Sequence, residues 1–307
     1  MQFSVYQQSH IGGRKVNQDR MGYCFTRDSL LLLLADGMGG HLGGEIAATI
    51  ALQTVSMMFR VQARPYIKKP ERFLEEALLQ AHHDIQGYAA TNGLPEMPRT
   101  TVVACLIQHN SAVWAHAGDS RLYWVRRNQV LARTRDHSHF EYLVDRGRAH
   151  ADERSTHPDR NKLYNCLGAS SSPKIELSEQ ASLQPGDVLL LCSDGLWSTL
   201  PETEIVYRLS TGVDTAVPEL VQKAATVGGP QADNTTALAI AWQGADTPDV
   251  GLPNVISTQM LGDDMVRSTI IGADQVPEHA DPFGDDDIEK AIAEIREAIE
   301  KSSQLLK

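Results

Sequence analysis

Four cysteines in 307 residues, at positions 24, 105, 166 and 192, have no paired spacing and so exclude a disulfide framework or a zinc site. They read as buried free thiols of a reducing compartment, which makes the cytoplasm the expected location. Long hydrophobic runs are also missing. Runs such as residues 30–35 and 188–192 fall far short of the roughly 20 residues that span a bilayer. The opening MQFSVYQQSH has no basic stretch followed by an apolar one, so no secretory signal is expected. There is no internal repeat, and no glycine-rich nucleotide loop ending in Lys-Ser/Thr, which argues against an ATPase.

Net positive charge is absent too: 28 basic residues face 39 acidic ones. The excess lies at the end of the chain, where residues 246–307 hold 14 acidic and 5 basic residues, leaving 25 and 23 in the body. A nearly neutral body gives no electrostatic case for a nucleic-acid partner, and no membrane partner is expected either.

What is present is an alternation of strand-like and helix-like segments over residues 1–243. The apolar runs 30–35 and 188–192, followed by Asp-Gly and by Ser-Asp-Gly, read as strands buried on both faces. Residues 45–60 and 70–92 read as helices, the second opened by Pro70 and closed by Gly93. Residues 101–108 and 112–126 are strand-like around a turn at Asn110-Ser111. Helices near 202–209 and 215–227 precede a closing strand at 235–242. The polar stretch 137–168 holds a short helix at 138–146 and a connection long enough to be functional. Residues 244–287, rich in Asp, Gly, Pro and Thr, read as an acidic flexible linker. In 288–307, Ile288, Ile292, Ile295, Ile299 and Leu306 mark an amphipathic helix, with Asp285, Asp286 and Asp287 at its start.

Four aspartates share one local grammar, an apolar or small-residue approach and then Asp beside a turn residue. They are Asp36 in LLLLADGMGG, Asp119 in WAHAGDSR, Asp194 in LLLCSDGLW and Asp233 in QADNTTALAIAW; Asp19 in RKVNQDR is a fifth. Any single Asp-Gly reads equally as a plain turn. Together they suggest carboxylates converging from separate strands. Such a cluster repels itself unless a cation neutralises it, and oxygen ligands without His or Cys favour Mg²⁺ or Mn²⁺ over zinc.

In these motifs the chain resembles the metal-dependent (PPM, type 2C) serine/threonine protein phosphatases in their bacterial form. The matching pieces, in the family's order, are GGRKVNQDR, LLLLADGMGGHLGGEIAA, RTTVVACLI, WAHAGDSRLYWVR, RDHS, HPDRNKLYNCLGA, LLLCSDGLW and DNTTALAIAW. The resemblance implies an α+β, four-layer α/β/β/α sandwich: two central antiparallel sheets flanked by helix pairs, with a phosphatase domain over 1–243. It implies two Mn²⁺ or Mg²⁺ ions, with Asp36 bridging them, the Gly37 carbonyl on one, and Asp194 and Asp233 completing the other. Asp119 would hold a third, weaker cation with Asp194, and Asp19 would orient the attacking water. Arg14 would grip the substrate phosphate through its guanidinium fork. Phosphoserine and phosphothreonine proteins are then the implied substrates, and a cognate Ser/Thr kinase the implied counterpart.

Two positions depart from the animal members of the family: Gln18 replaces a glutamate, and Met38 stands where those enzymes have a histidine general acid. His41, three residues on, is the candidate acid in its place. Residues 137–168 align with the family's flap, where Arg146, Arg148, Arg154 and Arg160 are candidate phosphopeptide contacts. In the tail, Thr258 with Leu261 three residues later resembles the phosphothreonine motifs read by forkhead-associated domains, and Thr269 is a second candidate. Two other readings stand beside this one: a catalytically weak regulatory or scaffold relative, and a small-molecule phosphomonoester hydrolase.

Overall fold

A computed structural model of the chain describes residues 1–38, 43–64, 66–154, 156–244 and the backbone of 257–260. The strands are β1 (Gln2–His10), β2 (Asp19–Phe25), β3 (Ser29–Asp36), β4 (Val102–Gln108), β5 (Ser111–Ala117), β6 (Arg121–Arg126), β7 (Gln129–Arg133), β8 (Glu176–Leu177), β9 (Ala181–Ser182), β10 (Val188–Cys192), β11 (Thr235–Gly244) and β12 (Ser257–Met260). The helices are α1 (Gly44–Gln62), α2 (Pro70–Thr91), α3 (His139–Asp145), α4 (Asp194–Trp197), α5 (Glu202–Leu209) and α6 (Val213–Gly228). One antiparallel sheet runs β1-β11-β10-β6-β7. The other runs β12-β2-β3-β4-β5-β8, with β9 also paired to β5.

The leucine run of β3 shows why this sequence makes a sandwich. Side chains alternate across a strand, so Leu30, Leu32 and Leu34 enter the core between the sheets, while Leu31, Leu33 and Ala35 face α1 and α2. On the other sheet, Leu189 and Leu191 of β10 point between the sheets, and Leu190 and Cys192 lie against α4, α5 and α6. Three apolar layers thus hold four structural layers together, as the resemblance implies. All four cysteines are buried free thiols.

Local chemistry moves two of the expected boundaries. The β4–β5 turn falls on His109 and Asn110, both with positive φ (52° and 59°), so Ser111 already begins β5. The expected strand 112–126 is broken at residues 118–120 into β5 and β6, and this break carries Asp119 to a strand end. β1 and β2 carry no uniform apolar run, which is why the sequence reading does not single them out. The four-residue β12 falls within the stretch expected as linker and pairs with the edge of β2, Thr258 opposite Cys24.

Gln7 lies in β1 on the same face as Val5, fully buried, and neither its amide nitrogen nor its oxygen has a hydrogen-bond partner. Burying an unsatisfied amide costs about 1–3 kcal/mol. Gln7→Met, which keeps the volume, is expected to stabilise the fold by about 1 kcal/mol, a rise of roughly 2–4 °C in Tm by differential scanning calorimetry.

Candidate metal centre

Each of the five aspartates sits where a strand ends or begins. Asp36 closes β3 and is register-paired with Asp19, the first residue of β2. Asp194 follows β10 as the first residue of α4, Asp233 lies just before β11, and Asp119 occupies the β5–β6 break. Asp36, Asp119, Asp194 and Asp233 line one cleft of about 650 Å³, with Arg14, Lys15, Gln18, Gly37, Met38, Thr101 and Asn234. The flap contributes Asn161 and Leu163 to the same cleft. His41 lies outside the described residues.

Glycines allow the close backbone approaches that bring these ends together. A Cβ at Gly195 would lie 2.2 Å from the Asn234 carbonyl oxygen, and one at Gly37 would lie 2.4 Å from the Gly44 backbone. Only a residue without a side chain lets Asp194 sit against Asp233, or Asp36 against the start of α1. Asn234 ties the same corner down: its Oδ1 accepts from the Gln18 backbone N–H (2.8 Å), and its Nδ2 donates to the carbonyls of Ile11 (2.8 Å) and Val16 (3.1 Å). The Gln18 side chain donates through Nε2 to Glu45 Oε2 (2.9 Å).

The electrostatics are those of a cluster under mutual repulsion. Burial, then the charges of Asp19, Asp194, Asp119 and Asp233, push Asp36 well above the usual carboxylate range. Burial and neighbouring aspartates do the same to Asp194. Burial, reinforced by Asp136, lifts Asp119 to about 7. Asp19 is also raised by burial, although hydroxyl groups pull against it; the Ser193 hydroxyl donates to its Oδ2 at 2.8 Å. The other oxygen of Asp19, Oδ1, is buried with no partner. An all-oxygen donor set, clustered and partly unsatisfied, fits hard divalent cations.

Arg14 and Lys15 bring positive charge to the cleft, and Arg14 is paired with one of the acids. Its Nη2 donates to Asp233 at 2.7 Å, and both side chains are partly exposed, so this pair is held loosely. Arg154, expected as a candidate substrate contact, is instead committed inside the protein. It pairs with Asp136 (2.9 Å) and Glu141 and lies over Phe140 and Trp197. Asp136 also makes a buried two-pronged pair with Arg121 (2.8 Å on both arms), so residues 136 and 154 fasten the flap to β6. Ser193, Asn234, Thr101, Lys15 and Asp136 were not singled out from the sequence. All five lie inside quoted motifs, Ser193 and Asn234 directly beside Asp194 and Asp233.

Two antiparallel sheets with helices packed on them match the fold of solved serine/threonine phosphatases. A family model for protein phosphatase 2C matches residues 6–223. The serine/threonine phosphatase stp of Listeria welshimeri is 29% identical over 231 residues, 74% of this chain and 90% of that protein. Crystal structures of Stp1 from Staphylococcus aureus (29% identity, TM-score 0.73, 80% of this chain and 96% of that one) and of the PstP catalytic domain in complex with two manganese ions (27% identity, TM-score 0.65, 78% and 97%) share the fold. The chain belongs to the protein phosphatase 2C family of serine/threonine phosphatases.

Proposed function

We propose that the chain is a divalent-cation-dependent phosphatase that removes phosphate from phosphoserine and phosphothreonine in cytoplasmic proteins, opposing a serine/threonine kinase. The observation that carries this reading is the convergence of Asp36, Asp119, Asp194 and Asp233 on one cleft that also holds Arg14 and Lys15. Asp36, the Gly37 carbonyl, Asp194 and Asp233 would hold two Mn²⁺ or Mg²⁺ ions, and Asp119 with Asp194 a weaker third. Bound there, the cations would neutralise the phosphoryl oxygens and make the attacking water more acidic.

The chain's own groups supply the rest. Arg14 swings from Asp233 to the substrate phosphate, where its planar fork takes two oxygens at once. Lys15 adds a second positive charge at the same wall of the cleft. The free Oδ1 of Asp19 accepts a hydrogen bond from the attacking water and orients it, while Ser193 keeps the carboxylate in place through Oδ2. The departing serine or threonine oxygen needs a proton, and His41 is the candidate donor carried over from the sequence. The manganese in the PstP structure supports the cation assignment, and the buried free thiols support a reducing location.

Purified protein is expected to hydrolyse both an aryl phosphate and a phosphothreonine peptide with Mn²⁺ or Mg²⁺ present, and to lose both activities in chelator. Full turnover in chelator would end this reading. We also propose that a phosphothreonine-reading partner binds the tail at Thr258 or Thr269. Because Thr258 lies in β12 on the β2 edge, the kinase would have to lift that strand first. Mass spectrometry after co-expression with the kinase is expected to find phosphate on one of these threonines; its absence from both would remove the proposal.

A further inference from the structure

Beside the acidic cleft, His116, His137 and Glu176 bring three potential ligand atoms within 4.8 Å of one another, the outline of a transition-metal site. The hydrogen bonds argue against that use. Asn165 is oriented by Lys174, donating through Nδ2 to its carbonyl (2.7 Å) and accepting from its N–H at Oδ1 (3.0 Å). The same Nδ2 donates to His137 Nδ1 at 2.7 Å, and the Gly118 backbone N–H donates to that nitrogen at 3.2 Å. With two donors facing it, Nδ1 must carry the lone pair, so the proton is on Nε2, where it is donated to Glu176 Oε2 at 3.2 Å. His116 has its own tautomer fixed by a 2.7 Å bond from Nε2 to the Arg135 carbonyl, and its ring stacks on His137 at 4.5 Å. A metal on His137 Nε2 would need the proton moved to Nδ1, against two N–H groups.

Four chain segments meet at this imidazole. His137 holds Gly118 from both sides, its backbone N–H donating to the Gly118 carbonyl (2.9 Å) while Nδ1 accepts from the Gly118 N–H. Gly118 is the residue before Asp119. On the other side, the His137 carbonyl accepts from Tyr164 N–H (3.0 Å) and Nδ1 from Asn165, next to Leu163, which lines the acidic cleft. Glu176 adds β8. The ring is buried, which pushes it down to about 4, so it is neutral in ordinary buffers, as the two donors at Nδ1 require.

We propose that His137 is a positioning residue: a neutral imidazole with its proton fixed on Nε2 that clamps the Gly118–Asp119 turn to the far end of the flap. The clamp fixes one carboxylate and one wall of the cleft together, so losing it loosens both at once. This rests on the phosphatase reading only for its kinetic consequences. The clamp itself is read without turnover, so failure of one is distinguishable from failure of the other.

The test starts with the unmodified, cation-free protein. A long-range ¹H–¹⁵N spectrum is expected to show His137 as the Nε2–H tautomer; an Nδ1–H or doubly protonated ring at pH 7 overturns the proposal whether or not any variant folds. Three variants then separate the contacts. His137→Asn can present Oδ1 where Nδ1 sits, His137→Gln reaches only toward Glu176, and His137→Ala does neither. Hydrogen exchange at the Gly118 amide is expected to quicken about tenfold or more in Ala and Gln and to stay near the parent rate in Asn. With Mn²⁺, the Ala and Gln variants are expected to show an apparent KM for a phosphothreonine peptide about 10–100-fold higher, with kcat on an aryl phosphate changed far less, and Asn again restores it. Unchanged Gly118 exchange in His137→Ala, or rescue by Gln as good as that by Asn, overturns the proposal.

Discussion

Asp36→Asn is expected to reduce hydrolysis of an aryl phosphate by about a thousandfold or more while making the cation-free protein more stable. The two effects have one cause. Asp36 sits at the end of β3 facing four other aspartates, and its charge is opposed first by burial and then by each of them. An amide of the same shape removes that repulsion and keeps the backbone bonds that Asp36 makes to Thr101 and the Thr100 hydroxyl. It also removes the carboxylate proposed to bridge two cations. Cation catalysis supplies several kcal/mol of transition-state stabilisation, and each 1.36 kcal/mol is a factor of ten, so the loss reaches roughly three decades. Steady-state kinetics with saturating Mn²⁺, alongside urea unfolding in chelator, measures both quantities. A variant that is both active and no more stable would show that Asp36 is an ordinary strand-end turn residue.

The second large effect is on stability against pH. Without divalent cations, the protein is expected to lose on the order of a few kcal/mol between pH 5 and pH 8. Asp36, Asp119 and Asp194 hold protons more tightly in the folded chain than in the unfolded one, where such carboxyls titrate near 3.9. The fold is therefore favoured while they are protonated and loses that advantage as pH rises through their elevated values, about 7 for Asp119. Asp187 behaves in the opposite sense. Although its burial works the other way, bonds from Arg126, the Gln184 N–H and Trp124 hold it below the usual range, so its contribution disappears only in acid. Mn²⁺ binds the charged form and should cancel the decline; at a hundredfold excess over Kd it adds about 2.7 kcal/mol. Urea titrations at pH 5.5, 6.5 and 7.5, with Mn²⁺ and with chelator, are expected to give converging curves at low pH and diverging ones at high pH.

The parts of this protein that could be read from the sequence are those whose environment is written locally. An unbroken apolar run such as residues 30–35 reads as a strand with apolar layers on both sides, and the structure provides both. Asp36, Asp119, Asp194 and Asp233 stand out because a glycine or small polar residue beside each one marks a strand end; Asp19, between Gln18 and Arg20, is less clearly bounded. β1 was harder to read because its inward face carries Gln7 and Ser9, which break the apolar alternation expected of a buried strand. The supporting groups were harder still, since their roles depend on partners far along the chain. Ser193 acts on Asp19 across 174 residues, and Asn234 anchors Ile11 and Val16 across more than 200. In RDHS, nothing local shows what the aspartate and histidine hold; only folding reveals that Asp136 meets Arg121 and that His137 meets Gly118, Asn165 and Glu176. Arg154 shows the converse case, a charge in a polar segment that looks available to a substrate and is in fact used up internally.

Crystals grown in Mn²⁺ and measured at the manganese absorption edge test the central claim most directly. Two strong anomalous peaks among the oxygens of Asp36, Asp194 and Asp233 are the expected result. A map with no anomalous density between those side chains, from protein that still turns over substrate, would contradict it.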